Sequence, residues 1–203
     1  MSKNEKKVKS EKTTEVKKIS PLMGPTYKDL RIKIAKSKKL NLEAVPKMTK
    51  IVITCCAGDF FRDKKIFDNI KDDIRMVALQ EPITIKAKKS VSSFTLREGM
   101  DLAYKVTLRR DNMKHFLHKL IHSGLVNDRH FDGVSTKGIS GHKKSGYALN
   151  FGLRDISIFP EINKSLDKHI GIGITICTTA KNAADCRELL EGLNIPFNDK
   201  KEV

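Results

Sequence analysis

No stretch of this 203-residue chain approaches the roughly 18 consecutive apolar residues that a membrane-spanning helix requires. Nor does a short apolar core follow the basic amino terminus, as a secretory signal peptide would require. The sequence therefore predicts a protein that is neither embedded in a membrane nor secreted.

Cysteine is scarce as well. The chain has four, Cys55, Cys56, Cys177 and Cys186, and none of their spacings gives the Cys-x-x-Cys pair that zinc sites use. No sequence signature of an activated Cys and His pair accompanies Cys55 and Cys56, which argues against a cysteine nucleophile. We expect reduced thiols that mostly pack in the core, with at least one of Cys55 and Cys56 buried, and neither a metal nor a cofactor.

What the chain has in excess is positive charge. Lysine and arginine number 40 against 24 acidic residues, which gives a formal net charge of +16. Self-repulsion makes such a charge unfavourable for a compact monomer, and a polyanion relieves it. Nucleic acid or an anionic membrane surface is therefore the indicated partner.

Composition divides the chain into a tail and one domain. Residues 1–20 are almost wholly Lys, Glu, Ser and Thr, with too few apolar side chains to offset the entropy of ordering. We predict a disordered basic tail over 1–20, a single domain over 21–198 and a short polar tail over 199–203. Glu5, Glu11 and Glu15 and the lack of arginine in the first tail argue against a conventional mitochondrial presequence, with a processed or atypical import signal as the alternative.

Apolar residues recur at helical spacing in some stretches and alternate with polar residues in others. Helices are predicted after Pro21, from Asp63, from Asp111 to Ser123 and around Leu189 to Leu193, with Gly124 as the stop of the third. Strands are predicted at 50–55, 83–85, 102–108, 149–153 and 170–176. The stretch 133–146 is rich in Gly, Ser and Lys and is predicted to be a long mobile loop.

Three of the predicted strands have two chemically different faces, because successive side chains point to opposite sides of a strand. In the strand at 102–108 the apolar face carries Leu102, Tyr104, Val106 and Leu108. The opposite face carries Lys105, Thr107 and Arg109. The same parity places Lys50 and Thr54 opposite Ile51 and Ile53, and Gln80, Thr84 and Lys86 opposite Ile83 and Ile85. These strands are therefore expected to form one apolar face and one polar, partly basic face.

Three histidines share one face of the third predicted helix. His115, His118 and His122 fall at positions i, i+3 and i+7, a spacing that can present three imidazoles to zinc. Their face lies opposite the apolar stripe, and the sequence supplies neither a fourth ligand nor an orienting partner. We favour a surface that faces solvent or phosphate, and a metal-dependent hydrolase built on this helix is the alternative.

A basic, serine-rich segment joins the second and third predicted strands. It carries Lys86, Lys88, Lys89, Ser90, Ser92 and Ser93 and ends on one aromatic residue, Phe94. The segment lacks the apolar alternation that anchors a strand, so we expect it to be mobile until a partner orders it. Because lysine and serine bind phosphate without reading bases, it is a candidate for contacts to a nucleic-acid backbone.

A series of motifs along the chain resembles one family. The motifs are Val45-Pro46-Lys47, Lys50-Ile51, Asp63-Lys64-Lys65, Lys86-Ala87-Lys88-Lys89-Ser90-Val91, Phe94-x-Leu96-Arg97-x-Gly99, Lys105-Val106-Thr107-Leu108-Arg109, Ile158-Phe159-Pro160-Glu161-Ile162, Thr178-Thr179-Ala180 and Pro196-Phe197. In this order they resemble ribosomal protein five of the bacterial and organellar branch, from about Tyr27 to Phe197. The resemblance implies a non-catalytic constituent of the large ribosomal subunit, in the central protuberance. It also implies an α+β fold in which helices cover one face of a largely antiparallel sheet and 5S rRNA meets the other.

The resemblance assigns 5S rRNA contacts to particular residues. Lys50, Gln80 and Thr107 match family positions associated with 5S rRNA. Thr54 stands where the family has Asn, so it keeps a hydroxyl but loses the amide's second donor. Side chains alternate between the two faces of a strand, so Lys105 and Arg109 share a face with Thr107 and complete the set of expected 5S rRNA contacts.

Further partners follow from the same resemblance. The segment from Lys86 to Phe94 matches the family loop that reaches towards tRNA in the peptidyl site, and basic loops and helices are expected to contact large-subunit rRNA. Neighbouring ribosomal proteins are also implied, including a small-subunit head protein, although the match near Arg129 is loose. Cys56 and Arg110 each stand where the family has glycine, and at Cys56 the backbone is expected to approach RNA less closely.

A free RNA-binding regulator is the other alternative to this interpretation, and such a protein would leave the large subunit in a high-salt gradient. The departures from the family pattern at Thr54 to Gly58 and the long stretch 133–146 favour an organellar ribosome. We therefore predict the mitochondrial matrix, over a bacterial cytoplasm or a plastid.

Overall fold

A computed structural model of the chain describes residues 24–39, 41–56, 64–128, 131–162 and 170–198. The predicted tails lie outside these residues, as do Ala57, Gly58, Asp63 and Arg129. The helices are α1 (Gly24–Lys38), α2 (Lys64–Ala78), α3 (Arg110–Lys119), α4 (Leu125–Asn127) and α5 (Ala183–Gly192). The strands are β1 (Met48–Cys56), β2 (Ile83–Lys86), β3 (Asp101–Leu108), β4 (Val134–Ser135), β5 (Ile139–His142), β6 (Gly146–Leu153), β7 (Ile172–Thr178) and β8 (Phe197–Asn198).

Six of the strands form one sheet. Their order is β2-β3-β1-β7-β6-β5, and every neighbouring pair is antiparallel. Strands β4 and β8 form a separate parallel pair. The predicted α+β fold with a largely antiparallel sheet is therefore confirmed.

The core lies on one face of this sheet. The strands contribute the buried side chains of Ile51, Ile53, Val106, Leu108, Ile174 and Ile176, and the helices contribute Phe67, Ile70, Ile74, Phe116, Leu117, Leu189 and Leu190. Phe67 of α2 stacks on Tyr104 of β3, with ring centroids 4.4 Å apart. Burial of each large apolar side chain contributes about 1.5–3 kcal/mol, so this packing fixes α2, α3 and α5 on the same side of the sheet.

Helix α1 packs through the predicted stripe. Ile34 is buried, and Tyr27 and Leu30 are half-buried against the core. The Tyr27 hydroxyl accepts a hydrogen bond from the backbone N–H of Met48 at 3.1 Å, which ties α1 to the start of β1. The predicted amphipathic helix is thus confirmed.

Gly124 does not stop the third helix as predicted. The helical path widens into a π turn over Leu120–Gly124 and continues through α4 to Asn127. Gly124 is buried, and a Cβ atom there would lie 3.1 Å from Cε1 of Phe159. Glycine occupies this position because Phe159 packs against the helix, and the sequence pattern alone does not distinguish that role from a helix stop.

The stretch 133–146 is not the long loop that its composition predicted. It contains β4, a short 3₁₀ turn and β5, and β5 pairs with β6 from Ile139–Leu149 to His142–Gly146. Its glycines admit close backbone approach, since a Cβ atom at Gly138 would lie 2.3 Å from the carbonyl oxygen of Asn150. A glycine-rich composition therefore marks the crowded edge of the sheet here.

The side chains of strand β2 that face the core are the opposite set from the one predicted. Ile83 pairs with Lys105, and Thr84 pairs with Tyr104. Because directly paired residues share a face, Ile83 lies on the side of Lys105 and Thr84 on the core side. Ile83 is accordingly 73% exposed. Alternation fixes which residues of a short edge strand share a face, but the pairing register decides which face is buried.

Candidate nucleic-acid interface

The sheet face turned away from the core is largely polar over its four inner strands, whereas Ala103 of β3 and Ile83 and Ile85 of the edge strand β2 add an apolar margin on the same side. We define the open face by residues of the four strands β1, β3, β6 and β7: Lys50, Val52, Thr54, Cys56, Lys105, Thr107, Ala148, Asn150, Gly152, Gly173, Thr175 and Cys177. Each of them is half-buried or exposed, and none is aromatic. The predicted polar face is therefore confirmed for β1 and β3 and extends over two further strands.

Three cations lie along the ladder between β1 and β3. Thr54 pairs with Lys105, and in the last pair of the ladder, Ile51–Leu108, Ile51 follows Lys50 and Leu108 precedes Arg109. Same-face neighbours along a strand are about 7 Å apart, so two such steps separate Lys105 from Arg109. In the part of the chain that the structure describes, no carboxylate forms an ion pair with Lys50, Lys105 or Arg109. Unpaired cations along one ladder suit a bound polyanion, whose phosphates they can neutralise.

Gln80 and Thr107 lie together beside these cations. The side-chain amide of Gln80 donates a hydrogen bond to the carbonyl oxygen of Thr107 at 3.4 Å. Thr107 pairs with Val52, one row along from Lys105. All six residues predicted to contact 5S rRNA thus lie on or beside one surface: Lys50, Thr54, Gln80, Lys105, Thr107 and Arg109.

Sequence reasoning missed the half of the open face formed by β6 and β7. The carboxamide of Asn150 accepts a hydrogen bond from the Thr175 hydroxyl at 2.8 Å and donates one to the Ser140 hydroxyl at 2.9 Å. Beside them Gly152 pairs with Gly173. The period-two parity that identified the face on β3 also applies to Gly173, Thr175 and Cys177, and it would have found them.

The segment from Lys86 to Phe94 is part of a hairpin that extends beyond β2 and β3. The backbone N–H of Ala87 donates to Met100 at 2.8 Å, and Val91 and Leu96 exchange two hydrogen bonds of 2.9 and 3.0 Å. The Ser90 hydroxyl accepts a further bond from the N–H of Glu98 at 2.9 Å. Backbone pairing thus holds this segment in a hairpin although it lacks apolar alternation, and its mobility without RNA stays a prediction.

Comparison with known proteins identifies the family. Residues 41–97 match the family described as ribosomal protein L5, and residues 101–197 match the family that describes the C-terminus of the same ribosomal proteins. This chain belongs to the ribosomal protein L5 family. It is 43% identical over 170 residues to the large ribosomal subunit protein uL5 of Acidobacterium capsulatum, covering 82% of this chain and 91% of that protein. It is 41% identical over 158 residues to the uL5 protein of Desulfatibacillum aliphaticivorans, covering 77% and 86%.

Membership in the L5 family confirms the class that the sequence predicted. The chain is a structural constituent of the large ribosomal subunit, with ribosomal RNA and ribosomal proteins as partners, and it is not an enzyme. No helix among the described residues is long and apolar enough to cross a membrane.

The thiols of this L5-family chain do not form a catalytic centre. Cys55 is buried on the core side of β1, and burial, with a smaller contribution from Cys56, raises its pKa to about 12. Cys186 is also buried, and its pKa is raised for the same reason. Cys56 is exposed on the open face and Cys177 is half-buried, and all four cysteines are free thiols. The prediction that at least one of the adjacent pair is buried is confirmed, but only two of the four thiols are buried in the core.

Of the histidines of the L5-family chain, His115 and His118 lie on α3 and His122 lies on the π turn that follows it. His118 and His122 have ring centroids 4.3 Å apart. Burial lowers the pKa of His118, and the neighbouring His122 and His115 lower it further. Across the described ranges, no group of three His, Cys, Asp or Glu side chains is arranged to hold a metal ion.

Proposed function

We propose that this L5-family chain holds 5S rRNA against its open face, in the central protuberance of the large subunit. The observation that supports this most directly is the row of Lys50, Lys105 and Arg109 along β1 and β3, three cations without an ion-pair partner among the described residues. Thr107 lies between Lys105 and Arg109 on β3, and Thr54 pairs with Lys105, so both threonines lie on the same face as the cations.

Binding on this face would combine charge neutralisation with shape recognition. Phosphates that replace counterions supply affinity, and the threonine and asparagine side chains are suited to ribose hydroxyls. Single-stranded RNA is usually recognised by bases that stack on aromatic side chains, which the open face lacks. The face therefore fits a folded, largely paired region of RNA, and basic side chains elsewhere on the domain would contact large-subunit rRNA.

The double variant Lys105→Glu with Arg109→Glu tests this proposal. We expect weaker 5S rRNA binding with an unchanged fold, because both side chains are exposed and neither contributes to the core. Losing two phosphate contacts should also reduce the salt-dependence slope of binding by about 1.5 to 2. Affinity is measured by filter binding of full-length protein to 5S rRNA over a series of salt concentrations.

Lys33→Glu with Lys36→Glu is the matched control. Both lysines are exposed on α1, away from the open face, and the change in net charge is the same. An equal loss of affinity in the two double variants would show that net charge, and not the open face, binds the RNA.

We further propose that the hairpin from Lys86 to Met100 contacts tRNA in the peptidyl site. Lys88, Lys89 and Arg97 are exposed along it, and none has an ion-pair partner among the residues the structure describes. A hydrogen-bonded hairpin can hold these cations well away from the body of the domain. Such a contact would serve ribosome function and not the folding of the chain.

For the compartment, we propose a bacterial-type ribosome, and the mitochondrial matrix stays a prediction. One argument for the mitochondrial matrix no longer holds, because the stretch 133–146 contains strands and is not a long loop. The departure from the family pattern at Thr54 to Cys56 remains, while Ala57 and Gly58 lie outside the described residues. The relatives named above are bacterial proteins.

A further inference from the structure

Phe94 is the only phenylalanine or tyrosine with an exposed side chain among the described residues, and it is 73% exposed. The chain is poor in aromatic residues, with nine phenylalanines, three tyrosines and no tryptophan. The other described aromatic rings are buried or half-buried. Leaving Phe94 in solvent forgoes the stabilisation that burial of such a side chain brings.

A single exposed apolar side chain is common on protein surfaces and needs no function. The position of Phe94 makes it different. It ends the 3₁₀ turn Ser92–Phe94 at the tip of the hairpin, and the reciprocal hydrogen bonds of Val91 and Leu96 close the hairpin directly behind it. The ring is therefore presented by an ordered tip.

The backbone at the tip is bent in a way that holds this presentation. Thr95 follows Phe94 with φ of 51° and ψ of 32°, in the left-handed region that side chains with a Cβ atom rarely adopt. Its hydroxyl donates to the carbonyl oxygen of Phe94 at 2.7 Å, and its N–H donates to Ser92 at 2.9 Å. Two hydrogen bonds thus stabilise a conformation that the residue type disfavours.

The chemistry around the ring indicates what would cover it. Lys88, Lys89 and Arg97 are exposed on the two arms behind the tip. Cations flanking an exposed aromatic ring are the combination with which proteins bind unpaired nucleotides, since the ring stacks on a base and the cations contact phosphates.

We propose that Phe94 is a stacking platform for a nucleobase with an open face, either unpaired or at the end of a helix. This inference rests on the proposed tRNA contact of the hairpin. It adds a contact with a base of the tRNA to the contacts with the tRNA phosphate backbone. Lysine and serine alone would hold phosphate without distinguishing a stacked base from any other part of an RNA surface.

The test uses intact ribosomes that carry the full-length variant chain, with deacylated tRNA in the peptidyl site as the probe. Phe94→Leu keeps an apolar side chain but removes the π face. We expect it to weaken tRNA binding about 5- to 150-fold, the range that follows from removal of a stacking aromatic. Phe94→Tyr and Phe94→Trp keep a ring, and we expect both to bind within about threefold of the original chain.

The triple variant Lys86→Ala, Lys88→Ala and Lys89→Ala is measured alongside, with 5S rRNA content as the check on assembly. If the lysine variant weakens tRNA binding and Phe94→Leu does not, the tRNA contact stands and the stacking inference is overturned. If Leu, Tyr and Trp at position 94 all weaken binding equally, the ring fits an apolar pocket of defined size, and stacking is again overturned. If neither the lysine variant nor Phe94→Leu changes tRNA binding, the proposed contact fails and the inference fails with it.

Discussion

Arg110 occupies a backbone conformation that its side chain disfavours. Its φ is 52°, in the left-handed region, at the start of α3. Glycine is the residue that adopts this region without steric cost, and the family resemblance places glycine here. The substitution to arginine adds a cation at a helix N-terminus, where the helix dipole also disfavours positive charge. Both effects predict that the isolated chain is less stable with arginine at this position.

We expect Arg110→Gly to raise the free energy of unfolding by about 0.5 to 1 kcal/mol, the difference between the left-handed cost of a residue with Cβ and the entropy cost of glycine. The measurement is urea unfolding of the full-length chain. Arg109→Gly is the matched control, because it removes the same charge from the neighbouring position, whose φ of −139° is extended. A gain of equal size in both variants would attribute the effect to charge and not to backbone conformation.

At the scale of elements, β6 and β7 carry glycines that the fold does not require. A Cβ atom at Gly173 would come no closer than 3.6 Å to any atom, and one at Gly152 no closer than 3.9 Å, which are ordinary contacts. Glycine inside a strand costs about 0.5–1 kcal/mol relative to alanine. Such glycines often mark a surface that another backbone approaches closely, and these two pair with each other on the open face.

We therefore expect Gly152→Val with Gly173→Val to leave the melting temperature unchanged or to raise it, because β-branched residues favour strands. Affinity for 5S rRNA should fall, since the new side chains would stand between the sheet and the RNA. The corresponding double alanine variant should lose less affinity than the valine variant, and this graded series is the control. Unchanged affinity with valine would show that RNA does not approach this half of the open face.

At the scale of the whole molecule, a net charge of +16 must be balanced by a partner. Ion pairs within the described residues neutralise part of the positive charge. For example, Lys38 of α1 forms ion pairs with Asp185 and Glu188 of α5. The cations of the open face and of the hairpin are not among those that are paired. Part of the uncompensated charge is thus located on the two surfaces that are proposed to bind RNA, and other exposed lysines, such as Lys33 and Lys36 of α1, carry more of it.

We expect the tagged full-length chain to remain with large subunits through a high-salt sucrose gradient, and 5S rRNA to be recovered with it. A folded RNA that contacts both the open face and the hairpin holds the chain through many simultaneous contacts. Salt weakens each contact, but the chain dissociates only when all of them are broken at once. Release of the chain as free protein or as a complex with messenger RNA would instead support the regulator alternative.

The sequence by itself determined four of the helices, five strands of the main sheet and the polar face of β1 and β3. Periods of 3.6 and 2 are local properties of the backbone, so the stripe of α1 and the alternation of Lys105, Thr107 and Arg109 could be identified without knowing any tertiary contact. The family motifs and strand parity likewise supplied the proposed 5S rRNA residues, four of which, Lys50, Thr54, Lys105 and Thr107, lie on β1 and β3.

Tertiary structure decided the features that depend on pairing between distant residues. The register with β3 turned Ile83 towards the open face, and pairing with β6 made a strand from a glycine-rich stretch that composition assigned to a loop. Contact with Phe159 gave Gly124 a packing role inside a continuing helix. Period and composition are insensitive to such contacts, since a register or a close approach is set by the energy of two segments together and not by either one alone.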